Sequence, residues 1–436
     1  MKKLLYILFA FLLAALPFSS CTREEASLFD DSSANRLSAA LKESTDILTA
    51  APKGWLVQYY AGESTEKVGG VNYIFEFGDD GWVGVTSELA PDSTYRSLYR
   101  LIGEQGPILT FDTYNEVFHY LSEPWGSSNI YGYGGDYEFV VTKISAEEVI
   151  LKGKRYGNIA VMRPFSSSSS KKDYLNSILA IEDDAIIYSV LELYKDNQKI
   201  GSGTYAGTYD AYKLKYATEK GDSTELVLFA GYTPDGITLY EPVDINGTTV
   251  SGFLWDTNAH TYTGTGDASN IVIKTDVSPT YKTYDDFLGT YTMNYTNYSA
   301  NASKTVTLEK GVEGSSYLLK GLSTSFSYSI TYKRATGTLV FPPQELTSQL
   351  PSYYLSVYPS AHLYPWPGGG SLYVTTSAGD MLGVNDLSGS NLIVRFVPDG
   401  SISAAVGLLV ILTNTSGAYY FWNTDHCYMN MVLTKQ

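Results

Sequence analysis

The sequence predicts a mainly β protein of antiparallel domains, sandwiches or barrels, whose C-terminal part is lipocalin-like. Two helices are expected, one at the N-terminus and one after a serine run. Three observations carry this reading. Of 436 residues, 38 are Tyr and 39 are Gly, while only 17% are charged; such composition reads as strands broken by turns. From Trp55 onward, apolar and polar residues alternate with period two through most segments. An Asp-Gly turn also recurs in each region, at Asp80-Gly81, Asp235-Gly236 and Asp399-Gly400. The spacing between these turns is too irregular for a solenoid, so they reflect shared hairpin chemistry.

The chain opens with Lys2 and Lys3, an apolar run over residues 4–18, and Ser19 and Ser20 directly before Cys21. That run is shorter than the roughly twenty residues of a membrane-spanning helix and has secretory-signal form. The pattern resembles a bacterial lipoprotein box, which implies a signal peptide over 1–20 and lipidation of Cys21. Thr22, Arg23, Glu24 and Glu25 follow as an acidic tether, 21–31, that resembles the surface-export signal of Bacteroidota lipoproteins. The expected location is the outer membrane, lipid-anchored and facing the cell exterior.

Residues 32–51 form the clearest helix. Leu37, Leu41, Ile47 and Leu48 mark one face, Ser32 or Ser33 caps it, and Pro52 with Gly54 ends it. Strands are then expected near 55–60, 73–77, 82–85, 95–102, 108–111, 116–120, 137–144, 148–152 and 159–164, as a meander that closes or packs on a second sheet. The N-terminal helix and this β domain span 32–165. Ser166 to Ser170 read as a hinge by composition. A middle region, 171–280, begins with a helix carrying Tyr174, Ile178, Leu179 and Ile181 that ends near Asp183-Asp184; residues 185–194 then read as a strand in preference to a continued helix, and further strands are expected near 204–216, 224–232 and 237–240. The C-terminal unit, 285–436, opens with Phe287, Gly289 and Tyr291, an aromatic-x-Gly-x-Tyr entry that resembles the first strand of lipocalin-like barrels. Its strands are expected near 304–309, 317–320, 326–332, 338–341, 372–376, 391–398, 402–412 and 418–422.

Several stretches taken together resemble one family: Gly54-Trp55 with Phe75, Glu76 and Phe77; residues 109–117; residues 135–140; residues 151–154; and residues 236–242. The match, over nearly the whole chain after Cys21, is to Bacteroidota lipoproteins grouped as domain of unknown function family 4302. The resemblance implies a surface lipoprotein beside outer-membrane uptake systems of the starch-utilisation type, often near a zinc-peptidase-like neighbour. It implies no activity and supplies no catalytic residues.

Charge excludes one class of partner. With 30 Lys and Arg against 46 Asp and Glu, the net charge is −16, or −18 without Lys2 and Lys3, so no basic footprint for nucleic acid exists. Once Cys21 is acylated, Cys427 is the remaining thiol; its apolar neighbourhood points to burial. His119, His260, His362 and His426 form no HExxH or metal-spaced pair. No nucleophile elbow, P-loop or dinucleotide fingerprint is present, and no cofactor is expected. Asp112, Glu116, Glu123 and Asp136 could serve a carboxylate-dependent glycoside hydrolase only if paired across a cleft. The acidic pairs Asp79-Asp80, Asp183-Asp184 and Asp285-Asp286 match no calcium-loop spacing and read as turns and caps.

Aromatic residues in loops are the more telling feature. Trp125, Tyr131 and Tyr133 lie in a Gly-rich stretch, and Tyr364 and Trp366 in a Pro-stiffened one. Such residues either fold back to plug a barrel mouth, meet a protein partner, or stack on a sugar ring. The expected function is a non-catalytic surface protein that binds glycan or glycopeptide for a neighbouring transporter. The alternative is an accessory subunit contacting a transporter or peptidase, with no small ligand.

Overall fold

The computed structural model describes residues 32–63, 66–104, 106–124, 132–206, 211–297, 300–324, 326–350, 353–362, 373–374, 380–399, 407–414, 419–421 and 427–436. These residues are mainly β, and three eight-stranded antiparallel barrels follow one another along the chain. The first runs up and down through Trp55–Tyr59, Val71–Phe77, Trp82–Ser87, Ala90–Gly103, Pro107–Phe111, Glu138–Ile144, Val149–Gly153 and Ile159–Pro164. It closes where Trp55 faces Pro164. Closure removes the open strand edges that a free sheet would expose.

The middle barrel comprises Val190–Lys195, Gln198–Ala206, Ala211–Ala217, Ser223–Thr233, Gly236–Ile245, Thr248–Asp256, Thr261–Gly264 and Ile271–Asp276, and closes with Val190 opposite Asp276. Two of its hairpins turn on residue pairs with both φ positive, Asp196 (51°) with Asn197 (64°) and Asn246 (49°) with Gly247 (81°). That geometry matches the right-handed twist of the flanking strands. The third barrel, lipocalin-like in its up-and-down order, comprises Gly289–Asn297, Ala300–Lys310, Ser316–Lys320, Tyr328–Lys333, Thr338–Phe341, Met381–Asp386, Ile393–Pro398 and Cys427–Lys435. Tyr291 opposite Lys435 closes it. Strands Gly407–Asn414, Tyr353–His362 and Gln344–Leu350 extend the sheet outward, Gly407 pairing with Met429 on the closing strand.

Three helices complete the described fold. Helix α1 (Ser33–Ala50) is capped by Ser32, whose side chain accepts the Asn35 amide, and lays Leu37, Leu41, Ser44 and Leu48 on the first barrel. Helix α2 (Glu116–His119) continues into a 3-10 turn, Tyr120–Ser122. Helix α3 (Lys171–Ala185) buries Leu175 and Ile178 between the first two barrels, in one cluster with Ile74, Phe165 and Leu228. Among the described residues no helix is long and apolar enough to cross a membrane.

Two expectations need correction. Residues 116–120 are helical, not a strand: Asn115 caps the turn by accepting the Phe118 amide at 3.2 Å, and the buried Val117, Phe118 and Leu121 follow helical spacing. The serine run is also tied at both ends. Phe165 is buried in the middle cluster, Lys53 Nζ donates to the Ser167 carbonyl at 2.9 Å, and Ser170 caps α3 through the Asp173 amide. The strands Thr248–Asp256, Thr261–Gly264, Ile271–Asp276, Gln344–Leu350, Tyr353–His362, Met381–Asp386 and Cys427–Lys435 are left out of the sequence reading, although the last closes the third barrel.

An eight-stranded barrel has a lumen that side chains just fill, and tyrosine fills much of it here. In the middle barrel Tyr212 lies 2.9 Å from Tyr262 and 3.5 Å from Tyr232, hydroxyl to hydroxyl, and Tyr232 donates to Tyr205 at 3.4 Å. In the third barrel Tyr291 donates to the Phe287 carbonyl and Tyr317 to the Tyr284 carbonyl, both at 2.7 Å. Each ring fills space while its hydroxyl finds a partner. Burial pushes the Tyr262, Tyr291 and Tyr317 phenols well above their ordinary range. Cys427 is fully buried.

Candidate functional site

The site grows from residues 112–124 and 132–137, between the strands Pro107–Phe111 and Glu138–Ile144, which cap one mouth of the first barrel. Asp112 anchors its start: its amide donates to the Leu98 carbonyl at 2.8 Å, and its carboxylate pairs with Arg100. Buried Asn115 then caps α2 and sends Nδ2 to the Tyr95 carbonyl at 3.3 Å. These ties turn Phe118 into the lumen. Its ring centre lies 4.5 Å from Phe111, 5.4 Å from Phe75, 5.5 Å from Tyr73, 5.9 Å from Tyr59 and 6.1 Å from Phe139. Phe118 is the plug of this mouth.

With Phe118 pointing in, its neighbours point out. Tyr114, Tyr120 and Tyr137 are 58%, 46% and 46% exposed, unusually open for large rings. His119 sits between two of them, 5.5 Å from Tyr137 in a stacked arrangement and 5.5 Å from Tyr114. Tyr120 packs on Tyr133 at 5.7 Å. The result is two ring groups on the outside of this mouth, Tyr114–His119–Tyr137 and Tyr120–Tyr133, with the Glu123 carboxylate at the edge of the first. Glu123 accepts the Tyr114 hydroxyl, and that hydrogen bond pushes the phenol up to about 12. Burial holds the His119 imidazole below its ordinary range, against the opposing pull of the Asn115 carbonyl and Glu123.

A buried polar knot supports this surface from below. Asp136 accepts the Arg155 amide at 2.8 Å, the Tyr156 amide at 3.2 Å and Asn158 Nδ2 at 3.0 Å, while its own amide donates to the Tyr59 hydroxyl at 2.6 Å. Gly153 is required beneath it, since a Cβ there would lie 1.9 Å from Asp136 Oδ2. Gly135 and Tyr133 both donate to the Leu121 carbonyl at 2.9 Å, which fixes the returning chain against α2.

Of the residues singled out in the sequence, the described structure places Tyr133 here, half-buried against Tyr120. Trp125, Tyr131, Tyr364 and Trp366 lie outside the described residues, as do Cys21 and His426. Tyr114, Tyr120, Tyr137 and His119 were missed as a group because residues 116–120 read as a strand, which sends neighbours to opposite faces. The density of aromatics over residues 111–120 was the available signal. The four weighed carboxylates serve local structure: Asp112 pairs with Arg100, Glu123 accepts from Tyr114, Asp136 is buried in its knot, and Glu116 lies in the first turn of α2. Among the described residues, no three His, Cys, Asp or Glu side chains gather closely enough to hold a metal ion.

Three barrels in series, the first carrying an aromatic surface at its plugged mouth, define a multi-barrel β protein. The chain belongs to the family described as Domain of unknown function (DUF4302), whose model matches residues 25–257. A second model, DUF4987, also a domain of unknown function, matches residues 265–412. No curated protein matches the chain. Among solved structures, a mutant of the vaccine antigen Transferrin Binding Protein B from Haemophilus parasuis is 8% identical, covering 88% of this chain and 77% of that one. Its TM-score of 0.15 is too low to carry an argument.

Proposed function

We propose that the protein is a Bacteroidota lipoprotein anchored through lipid on Cys21 to the outer face of the outer membrane. There it captures glycan or glycopeptide, without catalysis, for a neighbouring uptake system of the starch-utilisation type. The observation that carries the reading is the row of rings Tyr114, His119 and Tyr137, in which the half-buried imidazole lies between two exposed tyrosines. Flat rings offer a stacking face to the apolar side of a sugar, and their hydroxyls with Glu123 supply the polar contacts that fix orientation. Residues 22–436, run by affinity electrophoresis through a panel of polysaccharides, should be retarded by one glycan class. Tyr137→Ala and Tyr114→Ala should abolish retardation, with Trp125→Ala and Trp366→Ala run alongside. Absence of retardation by every glycan overturns the reading.

A second reading, an accessory subunit contacting a transporter or peptidase, is favoured by an apolar patch on the third barrel. Leu382 and Val397 face each other across paired strands, and both are exposed with Val384. Co-purification from outer membranes, lost on Leu382→Lys with Val397→Lys, tests it.

A further inference from the structure

We infer that an open seam in the wall of the middle barrel binds an extended peptide segment as an added β-strand, at a site that shares no residue with the rings of the first barrel's mouth. The seam lies between Ser223–Thr233 and Gly236–Ile245. These strands pair outward from the turn at Pro234 and Asp235, Thr233 with Gly236 through Ala230 with Leu239, and the ladder stops there. Residues 239–242 of the second strand then stand against the single Ser251 of the next, since Thr238 pairs with Gly252 and Val243 with Val250. A bulge of this kind bends its strand and disrupts the ladder. Pro242 lies within it and has no N–H to offer a neighbour. As a result Val227, Leu228 and Phe229 pair with Lys213, Tyr212 and Ala211 on one side and with no described residue on the other.

The seam holds a slot of about 400 Å³, within the roughly 300 to 1,000 Å³ of ligand clefts. Its lining takes Val227, Leu228 and Phe229 from one strand, Leu239 and Glu241 from the other, and Tyr156 from the first barrel. Two ties seat the first barrel at the paired end of the seam. Gly70 forms a parallel bridge with Gly231 and donates to the Ala230 carbonyl at 3.0 Å. Tyr60 donates to the Thr238 carbonyl at 2.9 Å. The Arg155 and Tyr156 amides donate to Asp136 at 2.8 and 3.2 Å, so the buried knot fixes the backbone of Tyr156 at the slot. The slot is therefore preformed, and a preformed site loses less entropy on binding.

The lining suits a peptide backbone. Successive residues of an antiparallel ladder direct their N–H and C=O groups to opposite sides, so at least one of Val227, Leu228 and Phe229 presents both toward the slot. An incoming strand satisfies such an open edge by continuing the ladder. Val227 is 45% exposed and offers an apolar contact to every second side chain of that strand. Glu241 is exposed and is the one charged residue among the described lining, so a basic side chain suits its end of the slot. Two other hollows are built differently. A groove of about 540 Å³ is lined mainly by side chains of α1, among them Ala39, Ile47 and Ala50. A cleft of about 320 Å³ between the first two barrels is lined by Glu88 and by Glu182 of α3, among others.

The test uses residues 22–436 with fluorescent, end-blocked peptides of alternating pattern: Lys-Val-Thr-Val-Lys-Val and its counterparts with Ile or Tyr in place of Val. At least one should bind saturably by anisotropy. A twin of that peptide, N-methylated throughout, keeps the side chains but loses the donors, and should bind about tenfold more weakly or worse, the scale of one lost backbone hydrogen bond. Glu241→Lys should weaken binding about tenfold and Val227→Thr about fivefold, both with an unchanged melting temperature because the positions are exposed. The bound peptide should slow hydrogen exchange at one or more amides of Val227, Leu228 and Phe229. Equal affinity for the N-methylated twin, unchanged exchange at those three amides, or undiminished binding by both variants overturns the strand-addition site. Binding of none of the peptides overturns it too, and leaves glycan retention at the rings of the first barrel unaffected.

Discussion

Replacing Phe118 by Ala is the sharpest test of how the first barrel is built. Phe118 is almost fully buried and meets five other lumen rings at centroid distances between 4.5 and 6.1 Å. Removing its ring forfeits about 2 kcal/mol of apolar transfer. The walls are strands locked in a closed ladder, so they collapse little, and the cavity left adds about 2 kcal/mol more. The sum, about 4 kcal/mol, sits within the roughly 3–5 kcal/mol seen for buried Phe→Ala changes. Three barrels in one chain make a single unfolding transition an unsafe measure. Amide hydrogen exchange resolves them, because the slowest amides of Val71–Phe77 report opening of the first barrel alone. A loss of about 4 kcal/mol accelerates their exchange about a thousandfold, while amides of the third barrel stay unchanged. Acceleration below tenfold would refute the plug, for it would mean that the ring's neighbours hold together without it.

His119 predicts a pH dependence confined to the same mouth. Because burial lowers its folded value below the ordinary one, the unfolded chain takes up a proton first. Stability is therefore complete above the unfolded value near 6.5 and falls as the pH drops through it toward the depressed folded value. Melting curves from pH 8 to 5 should show a steeper loss for the natural chain than for His119→Gln; parallel losses would sink the assignment. In the middle barrel, a Cβ on Gly203 would lie 2.0 Å from the Lys213 carbonyl of the paired strand, whereas Gly247 has open space but φ of +81°. Gly203→Ala should cost about 3 kcal/mol or more and Gly247→Ala about 1 kcal/mol. Equal shifts in melting temperature would contradict the difference between steric overlap and backbone strain.

Much of the β architecture was legible because its signals are local. Period-two alternation around Trp55, Val57 and Tyr59 needs no partner to be read, and neither does the helix that Ser32 opens and Pro52 follows. Phe287, Gly289 and Tyr291 announced the third barrel in the same way, with Tyr291 bonding back to Phe287 at 2.7 Å. Asn246-Gly247 is an equally local hairpin signal, and it leads into Thr248–Asp256, a strand the sequence reading leaves out.

Residue order alone could not say which strand closes each ring, since Trp55 meets Pro164 and Tyr291 meets Lys435 across more than a hundred residues. Nor could it separate lumen rings from surface rings. Phe118 and Tyr120 differ little as sequence, yet the Asn115 cap turns one inward and leaves the other exposed. The cleft is more remote still, because it is lined both by Glu88, in the turn between Trp82–Ser87 and Ala90–Gly103, and by Glu182 on α3, where Gly70 bridges Gly231. Composition and periodicity report how each segment contacts its own neighbours. Ring closure, plug and cleft depend on contacts between segments far apart in the chain, and those exist only once the barrels have formed.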